Sequence, residues 1–238
     1  MNKIKRIVLK ISGEALEDKT NHEAYSEAVL NNLVKVIQKV HSQNVQVGIV
    51  VGGGNIYRGK ESSKIGLDNT SGDYMGMIAT VMNGLALKGL FEKNGLEAEI
   101  LSSLQVSKCT KEFTVEKVNK YLNNKKIVIF TGGIGHPCFT TDTCAALRAR
   151  EIKADCLLMA KNGVDGVYTS DPKVDRNAKF ISKLTYSEIL NSKLGVIDST
   201  AASLLNETNI ATYIFNIDDP KNILKIINGE KVGTVVTK

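Results

Sequence analysis

The chain has 238 residues, 42% of them hydrophobic and 24% charged, which is the composition of an ordinary globular protein with a buried core. A chain of this length buries roughly 70% of its unfolded surface, in one large domain or two small ones, and we expect a single domain over 1–238. The net charge of +6 is not gathered into a basic stripe with interleaved aromatics, so a nucleic-acid-binding surface is disfavoured. The excess charge suits a small anionic substrate or simply reflects a lysine-rich composition.

The N-terminus and the cysteines indicate where the protein resides. Residues 1–6 lead directly into an apolar strand and are too short for the hydrophobic core of a signal peptide, and no run of about 18 apolar residues exists. The cysteines, Cys109, Cys138, Cys144 and Cys156, form no CxxC pair and have no histidine at zinc spacing. We therefore expect a cytoplasmic protein with no membrane association, whose cysteines are reduced and partly buried.

Strand-like and helix-like segments alternate along the chain. Apolar runs predict strands at Ile7 to Ile11, Val45 to Val51, Ala98 to Leu101, Lys126 to Phe130, Cys156 to Ala160 and Ala211 to Phe215, and indicate a last one at Thr234 to Val236. Helical periodicity is found at about Ser26 to Gln43, Asp73 to Lys93, Thr114 to Leu122, Thr141 to Ile152, Ser199 to Asn206 and Asp219 to Ile227. This alternation predicts an α/β protein, with a mainly parallel sheet and helices on both faces.

Glycine-rich turns follow four of the predicted strands, at Gly13, at Gly52 to Gly54, at Gly132 to Gly135 and at Gly163. We expect them to share the edge of the sheet where ligands of such folds bind. The run Val47 to Arg58 is the most informative, because three adjacent glycines let bare N–H groups approach a phosphate and Arg58 can bind it by two parallel hydrogen bonds. The alternative is a tight strand-to-helix turn with a surface arginine. Neither glycine cluster matches a dinucleotide fingerprint, and the nearest P-loop match has Glu61 where Ser or Thr is required.

Polar residues at the same strand ends predict a phosphate site. Lys10 can place an ammonium group beside transferring phosphates, with the N–H groups of Ser12-Gly13 on the same anion; the alternative is a solvated strand end. Thr141 or Asp142 is expected to cap the following helix, and behind a glycine loop these residues could also bind phosphate or metal. The polar, turn-rich segment Lys161 to Pro172 is typical of a nucleotide-binding loop.

Six motifs carry a resemblance to the bacterial uridylate kinases of the amino-acid kinase superfamily. They are KISGEAL at 10–16, GIVVGGGNIYRG at 48–59, GDYMGMIATVMNGLAL at 72–87, GHPCFTTDTCAALRAREI at 135–152, KNGVDGVYTSDP at 161–172 and LTYSEIL at 184–190. The resemblance covers nearly the whole chain. It implies a three-layer αβα sandwich, transfer of the γ-phosphoryl of ATP to UMP with Mg²⁺ carried by the ATP, and assembly as a homohexamer.

The resemblance also implies a role for each matching residue. The implied catalytic residues are Lys10, Arg58 and Asp142. The implied ATP contacts are Lys10, Ile11, Ser12, Gly13, Gly53, Arg58, Asn162, Tyr168 and Asp171. The implied UMP contacts are Gly52, Asp73, Ile134, Gly135, His136, Pro137, Cys138, Phe139, Thr140 and Thr141, with Asp73 on the ribose. No protein ligand to a metal is implied.

Two departures from the family pattern bear on specificity and regulation. Ile134 stands where a hydroxyl residue is usual, so the backbone must recognise the UMP base there. The segment Glu17 to Tyr25 lacks the glycine-rich insert of relatives that are activated by GTP, so we expect weak GTP activation or none, whereas UTP could still inhibit from the UMP pocket.

Three alternatives stay open. The chain could be a superfamily kinase that phosphorylates a carboxylate or carbamate. It could instead be a nucleotide-binding regulatory module without turnover. Asp73 could be the N-terminal cap of the helix predicted to begin there rather than a ribose contact.

Overall fold

The computed structural model describes residues 3–172, 174–192 and 195–238. Met1 and Asn2, the first residues of the N-terminal segment in which no signal peptide is predicted, lie outside the described residues. The strands are β1 Arg6–Ile11, β2 Gln46–Val51, β3 Ala98–Ser102, β4 Lys111–Glu112, β5 Ile127–Thr131, β6 Cys156–Lys161, β7 Val167–Tyr168, β8 Phe180–Ile181, β9 Lys183–Thr185, β10 Ala211–Asn216 and β11 Thr234–Thr237. One nine-stranded sheet has the order β4-β3-β5-β2-β1-β6-β10-β11-β9, and β7 pairs with β8 beside it. In the large sheet only β10 and β11 run antiparallel among the described strands, so the mainly parallel α/β prediction is confirmed.

Seven α-helices within the described ranges form a layer on each face of the sheet. Helices α1 Glu27–Ser42, α2 Asn69–Lys93 and α7 Lys221–Ile227 cover one face, and α3 Val115–Asn123, α4 Thr141–Glu151, α5 Tyr186–Ser192 and α6 Ser199–Asn206 cover the other. Each face has its own hydrophobic core. The implied three-layer αβα sandwich is therefore confirmed.

The alternation of side chains along β1 explains how a lysine comes to lie inside the molecule. Ile7 and Leu9 point into the core under α1 and α2, whereas Val8 points into the core under α4. Successive residues of a strand point to opposite faces, so Lys10 shares the face of Val8. Lys10 is only 7% exposed and lies at the carboxyl end of the strand, next to the start of α4.

The long helix α2 begins earlier than predicted. It starts at Asn69, and its cap is Asp68, whose carboxylate accepts a hydrogen bond of 2.8 Å from the Ser71 backbone N–H. The predicted start at Asp73 is therefore wrong, because the first turn consists of small polar residues without an apolar pattern. The prediction missed β4, β7, β8, β9 and α5, which are elements of two to seven residues.

Helix α2 also carries an unusual amount of exposed apolar surface. By length and composition alone it could cross a membrane, and 44% of its most apolar part is buried within the protein. The large apolar side chains that it exposes include Met75, Ile78, Met82 and Leu85. The 3-4-3 spacing places these four side chains in one stripe.

The cysteines are free thiols of two kinds. Cys144 and Cys156 are buried, and burial raises their pKa to about 11 and about 12 respectively. Cys109 and Cys138 are exposed, so the prediction that the cysteines are partly buried is wrong for these two.

Candidate active site

Two lysines and one aspartate form an ionic cluster at the carboxyl edge of the sheet. Asp142 accepts Lys10 Nζ on one carboxylate oxygen at 2.8 Å and Lys161 Nζ on the other at 3.1 Å. The Asp142 side chain is only 14% exposed. Burial alone would raise the pKa of this carboxyl, but the two ammonium groups outweigh it and lower the pKa. The cluster holds two cations and one anion, and its surplus positive charge can receive a further anion.

Lys161 is the member of the cluster to which the sequence analysis gave no role. It is the last residue of β6, the strand beside β1, and so ends at the same edge as Lys10. Burial lowers the pKa of its ammonium group, and Asp142 opposes that effect. A lysine directly after the buried run Cys156 to Ala160 was the available signal, because it ends a buried strand at the edge of the sheet where Lys10 was also expected.

The start of α4 is fixed by Thr140. Its hydroxyl oxygen accepts the backbone N–H groups of Asp142 and Thr143 at 3.1 Å each, so Thr140 is the cap. The prediction of Thr141 or Asp142 as the cap is wrong by one or two positions. Thr141 and Asp142 are instead the first two helical residues, where the helix dipole favours negative charge.

Asp198 holds the threonines of this turn from the neighbouring helix. It accepts hydrogen bonds from the hydroxyls of Thr140 and Thr143, the latter at 2.9 and 3.0 Å, and caps α6 through the Ala201 N–H at 2.8 Å. Asp198 was not among the predicted site residues. Its position before α6 indicates a cap, but no local pattern shows that the same carboxylate also reaches α4.

The glycine loop after β2 packs tightly against the loop after β1. A Cβ on Gly13 would collide with the Asn55 side chain and would lie 2.6 Å from the Gly54 nitrogen, so only glycine fits. Arg58 pairs with Glu14 at 3.2 Å and donates from Nε to the Gly54 carbonyl at 3.2 Å. The Arg58 guanidinium, which is half exposed, therefore lies at the mouth of the site.

Asp73 contacts the loop between β5 and α4. It lies in the second turn of α2 and accepts a hydrogen bond of 2.7 Å from the backbone N–H of Cys138. Cys138 has a φ of 72°, a conformation that is uncommon for a residue with a side chain. Because Asp68 caps the helix, the interpretation of Asp73 as the cap is wrong, and the carboxylate helps to shape the loop to which the UMP contacts were assigned.

A cavity of about 290 Å³ lies between the glycine loop, α2 and the start of α4. Of the residues assigned to UMP, its lining includes Asp73, His136, Phe139, Thr140 and Thr141; Gly53 and Arg58, assigned to ATP, line it too. Gly52, Ile134, Gly135, Pro137 and Cys138 are not part of this lining, although all belong to the same two loops. Ile134 packs instead against the core under α4.

A larger cavity of about 710 Å³ lies beside β6 and the loop that follows it. Its lining includes Lys10, Ser12, Asn162, Tyr168 and Asp171, all of which were assigned to ATP, together with Lys161. Ile11 is fully buried and Gly13 is buried beneath this surface. The buried Oδ1 of Asn162 has no hydrogen-bond partner among the described residues, so it is an acceptor that a ligand can use.

The ionic cluster joins the two cavities. A groove of about 480 Å³ is lined by Lys10, Asp142 and Asp198 and also by Thr140 and Thr141. It thus shares Lys10 with the larger cavity and both threonines with the smaller one. Two ligands bound on either side would bring their facing ends to the ammonium groups. Within the described ranges no group of three or more His, Cys, Asp and Glu could hold a metal ion, and Asp142 is already engaged by both lysines.

Comparisons with known proteins agree over most or all of the chain. A sequence model of the Amino acid kinase family matches residues 5–216. The uridylate kinase of Mycoplasmopsis synoviae (strain 53) is 46% identical over 239 residues, covering all of both chains. The crystal structure of a UMP kinase from Bacillus anthracis superposes with a TM-score of 0.95 at 34% identity, covering 99% of this chain and 97% of the other. A UMP kinase structure from Ureaplasma parvum gives a TM-score of 0.92 at 39% identity, with both chains fully covered.

Proposed function

Because the chain belongs to the amino acid kinase family, we propose that it is a UMP kinase, which transfers the γ-phosphoryl of MgATP to UMP and yields UDP and ADP for pyrimidine nucleotide synthesis. The observation that carries this proposal is the cluster of Lys10, Asp142 and Lys161 between two cavities that can each hold one nucleotide. The uridylate and UMP kinases among the relatives support the choice of UMP as acceptor.

The two lysines supply the charge that phosphoryl transfer needs. The transition state is loose and spreads negative charge over the transferring oxygens, so the enzyme acts mainly by positioning and neutralisation. Lys10 and Lys161 are held by one carboxylate and therefore face the anion in a fixed geometry. In this proposal Asp142 orients both ammonium groups and Arg58 binds the phosphate from the mouth of the site.

The smaller cavity would hold UMP. Asp73 has one carboxylate oxygen on the Cys138 N–H, and its other oxygen can accept from a ribose hydroxyl. His136, Thr140 and Thr141 line the same space and would contact the base or the phosphate. The larger cavity would hold ATP, with Asn162 and Tyr168 near the adenosine moiety. Magnesium would arrive on the ATP phosphates and neutralise part of their charge.

The exposed stripe on α2 supports self-association, and we propose the homohexamer of the resembling family. Ile78 and Met82 are each about half exposed, which is unfavourable for a surface that stays in water. Light scattering on wild type and Met82→Lys tests the assembly: a hexamer that the substitution dissociates supports the proposal, and a wild-type monomer contradicts it.

We also propose that the enzyme is cytoplasmic and that UTP inhibits it by binding in the UMP pocket.

The activity is tested by initial rates of ADP release with MgATP and each of UMP, CMP, dUMP and dTMP. We expect UMP to be the best acceptor. Carboxylate and carbamate acceptors are added to the same panel, and a preference for one of them would move the chain to another branch of the family. ATP binding without turnover of any acceptor would contradict the proposal.

A further inference from the structure

Asn83 on α2 is a fully buried amide that contacts the glycine loop. Its Nδ2 group donates to the Gly52 carbonyl at 2.6 Å and to Asn55 Oδ1 at 2.7 Å. Asn55 Nδ2 donates back to Asn83 Oδ1 at 3.1 Å and also to the Ala24 carbonyl at 2.8 Å. The buried donors and acceptors of both amides are thereby paired.

The hydrogen bond to Gly52 determines where the next N–H points. In a trans peptide the carbonyl of one residue and the N–H of the following residue lie in one plane and point in opposite directions. Asn83 fixes the Gly52 carbonyl and so directs the Gly53 N–H away from itself. Gly53 lines the smaller cavity, and no acceptor among the described residues is paired with its N–H.

Such a restraint is needed because this backbone is inherently free to turn. Gly52, Gly53 and Gly54 have no Cβ, so an unrestrained loop would sample several peptide orientations. A Cβ on Gly53 would lie 2.6 Å from the Gly76 carbonyl and 2.9 Å from Ala79 Cβ, so a side chain cannot restrict the loop there. Within the loop the N–H groups of Ile56 and Tyr57 hold the Gly53 carbonyl, each at 3.0 Å, whereas the Gly52 carbonyl is held from outside the loop by Asn83.

We infer that Asn83 is a positioning residue, which locks the Gly52–Gly53 peptide so that the Gly53 N–H donates to the transferring phosphoryl group. The inference rests on the proposed function for the identity of this anion. A donor fixed before the reaction stabilises developing charge without reorganisation, whereas a freely rotating one does not. Loss of the lock should therefore lower kcat and leave the KM values for both nucleotides nearly unchanged.

The test compares Asn83→Asp and Asn83→Ala with two controls. Asn83→Asp keeps the shape of the side chain but loses the N–H donor. Asn83→Ala, which removes the whole amide group, serves as the second variant if a buried carboxylate at this position prevents folding. Asn55→Ala leaves the bond from Asn83 to Gly52 intact. Leu87→Ala, one turn further along α2, creates a defect in the hydrophobic core without removing a hydrogen bond to the loop.

We expect kcat to fall by about 10-fold to 100-fold in the Asn83 variants, somewhat less than the loss seen when a donor is removed outright. Both KM values should stay within about threefold. Asn55→Ala should lose less, and Leu87→Ala should keep its kcat while its thermal midpoint falls. Asn83 variants with wild-type kcat, or with a loss no larger than that of Leu87→Ala, would overturn the inference.

A second measurement separates this inference from the proposed function. Hydrogen exchange of a peptide that spans residues 52–58, followed by mass spectrometry without nucleotide, should be faster in the Asn83 variants than in Leu87→Ala. Unchanged exchange would refute the lock even in an active kinase. If the wild type fails to phosphorylate UMP while exchange responds as expected, the proposed function is wrong and the lock stands.

Discussion

Asp142→Asn should be strongly destabilising, because it leaves two ammonium groups facing each other in a buried place. The carboxylate contacts Lys10 at 2.8 Å and Lys161 at 3.1 Å and is 14% exposed. Removing one partner from a buried ion pair costs about 3 to 5 kcal/mol. At about 2 to 4 °C per kcal/mol for a chain of this size, the thermal midpoint should fall by roughly 6 to 20 °C.

The double variant Asp142→Asn with Lys161→Met tests whether this charge is the cause. It returns the cluster from two unpaired cations to one, so its unfolding free energy in urea should exceed that of the single variant. The assay is urea unfolding of wild type, both single variants and the double variant. A loss below about 1 kcal/mol for Asp142→Asn, or a further additive loss in the double variant, would refute the reasoning.

Three further predictions concern the two ligands and the effector. Lys10→Ala should reduce kcat by about 100-fold or more, which is the scale of losing one preorganised contact. The variant should also be less stable, because Lys10 is buried and paired with Asp142. A kcat near the wild-type value would contradict the assignment of Lys10 to the transferring phosphate. Asp73→Asn should reduce the preference for UMP over dUMP, which we expect at roughly 10-fold to 150-fold from a charge-assisted hydrogen bond of about 1.5 to 3 kcal/mol; an unchanged ratio of kcat/KM values would leave Asp73 only its contact with the Cys138 N–H. GTP at fixed UMP should change the velocity little, and a clear severalfold rise would reveal an effector site outside the shortened segment Glu17 to Tyr25.

Asp142 also makes the free energy of unfolding depend on pH in the acidic range. Its pKa is lower in the folded protein than in the unfolded chain, so its ion pairs stabilise the fold at pH values above the unfolded pKa. That contribution is lost as the pH falls through the folded pKa. Other carboxyls, Asp68 and Asp219 among them, also have a lowered pKa, so acid titration of the unfolding free energy should show a smaller loss in Asp142→Asn than in the wild type.

The parts of the site that lie along the backbone could be predicted from the sequence. Each buried parallel strand needs an abrupt end, and the glycines at positions 13, 52–54, 132, 133, 135 and 163 mark such ends, which the sheet brings to one edge. Lys10 was predicted at that edge for the same reason. Its burial was not, because that depends on α4 covering the face that Lys10 shares with Val8.

The contacts between distant segments could not be predicted. Thr143 donates a hydrogen bond to Asp198, which lies 55 positions further along the chain. Each residue already has a local role at the start of its own helix, so the sequence gives no reason to pair them. Asn83 looks like one polar residue within an apolar helix until the glycine loop is placed against it. The start of α2 was predicted wrongly because of a local pattern. Its first turn, which Asp68 caps, consists of polar residues that resemble a loop.

The most direct test of the central claim is to identify the product of wild-type enzyme with MgATP labelled in the γ-phosphoryl and with UMP, in parallel with Lys10→Ala. Transfer of the label into UDP, with one ADP formed for each UDP and a loss of about 100-fold or more in the variant, is the result that we predict. Release of the label as inorganic phosphate without UDP, or equal rates in both proteins, would contradict the claim that the cluster of Lys10, Asp142 and Lys161 transfers phosphoryl from ATP to UMP.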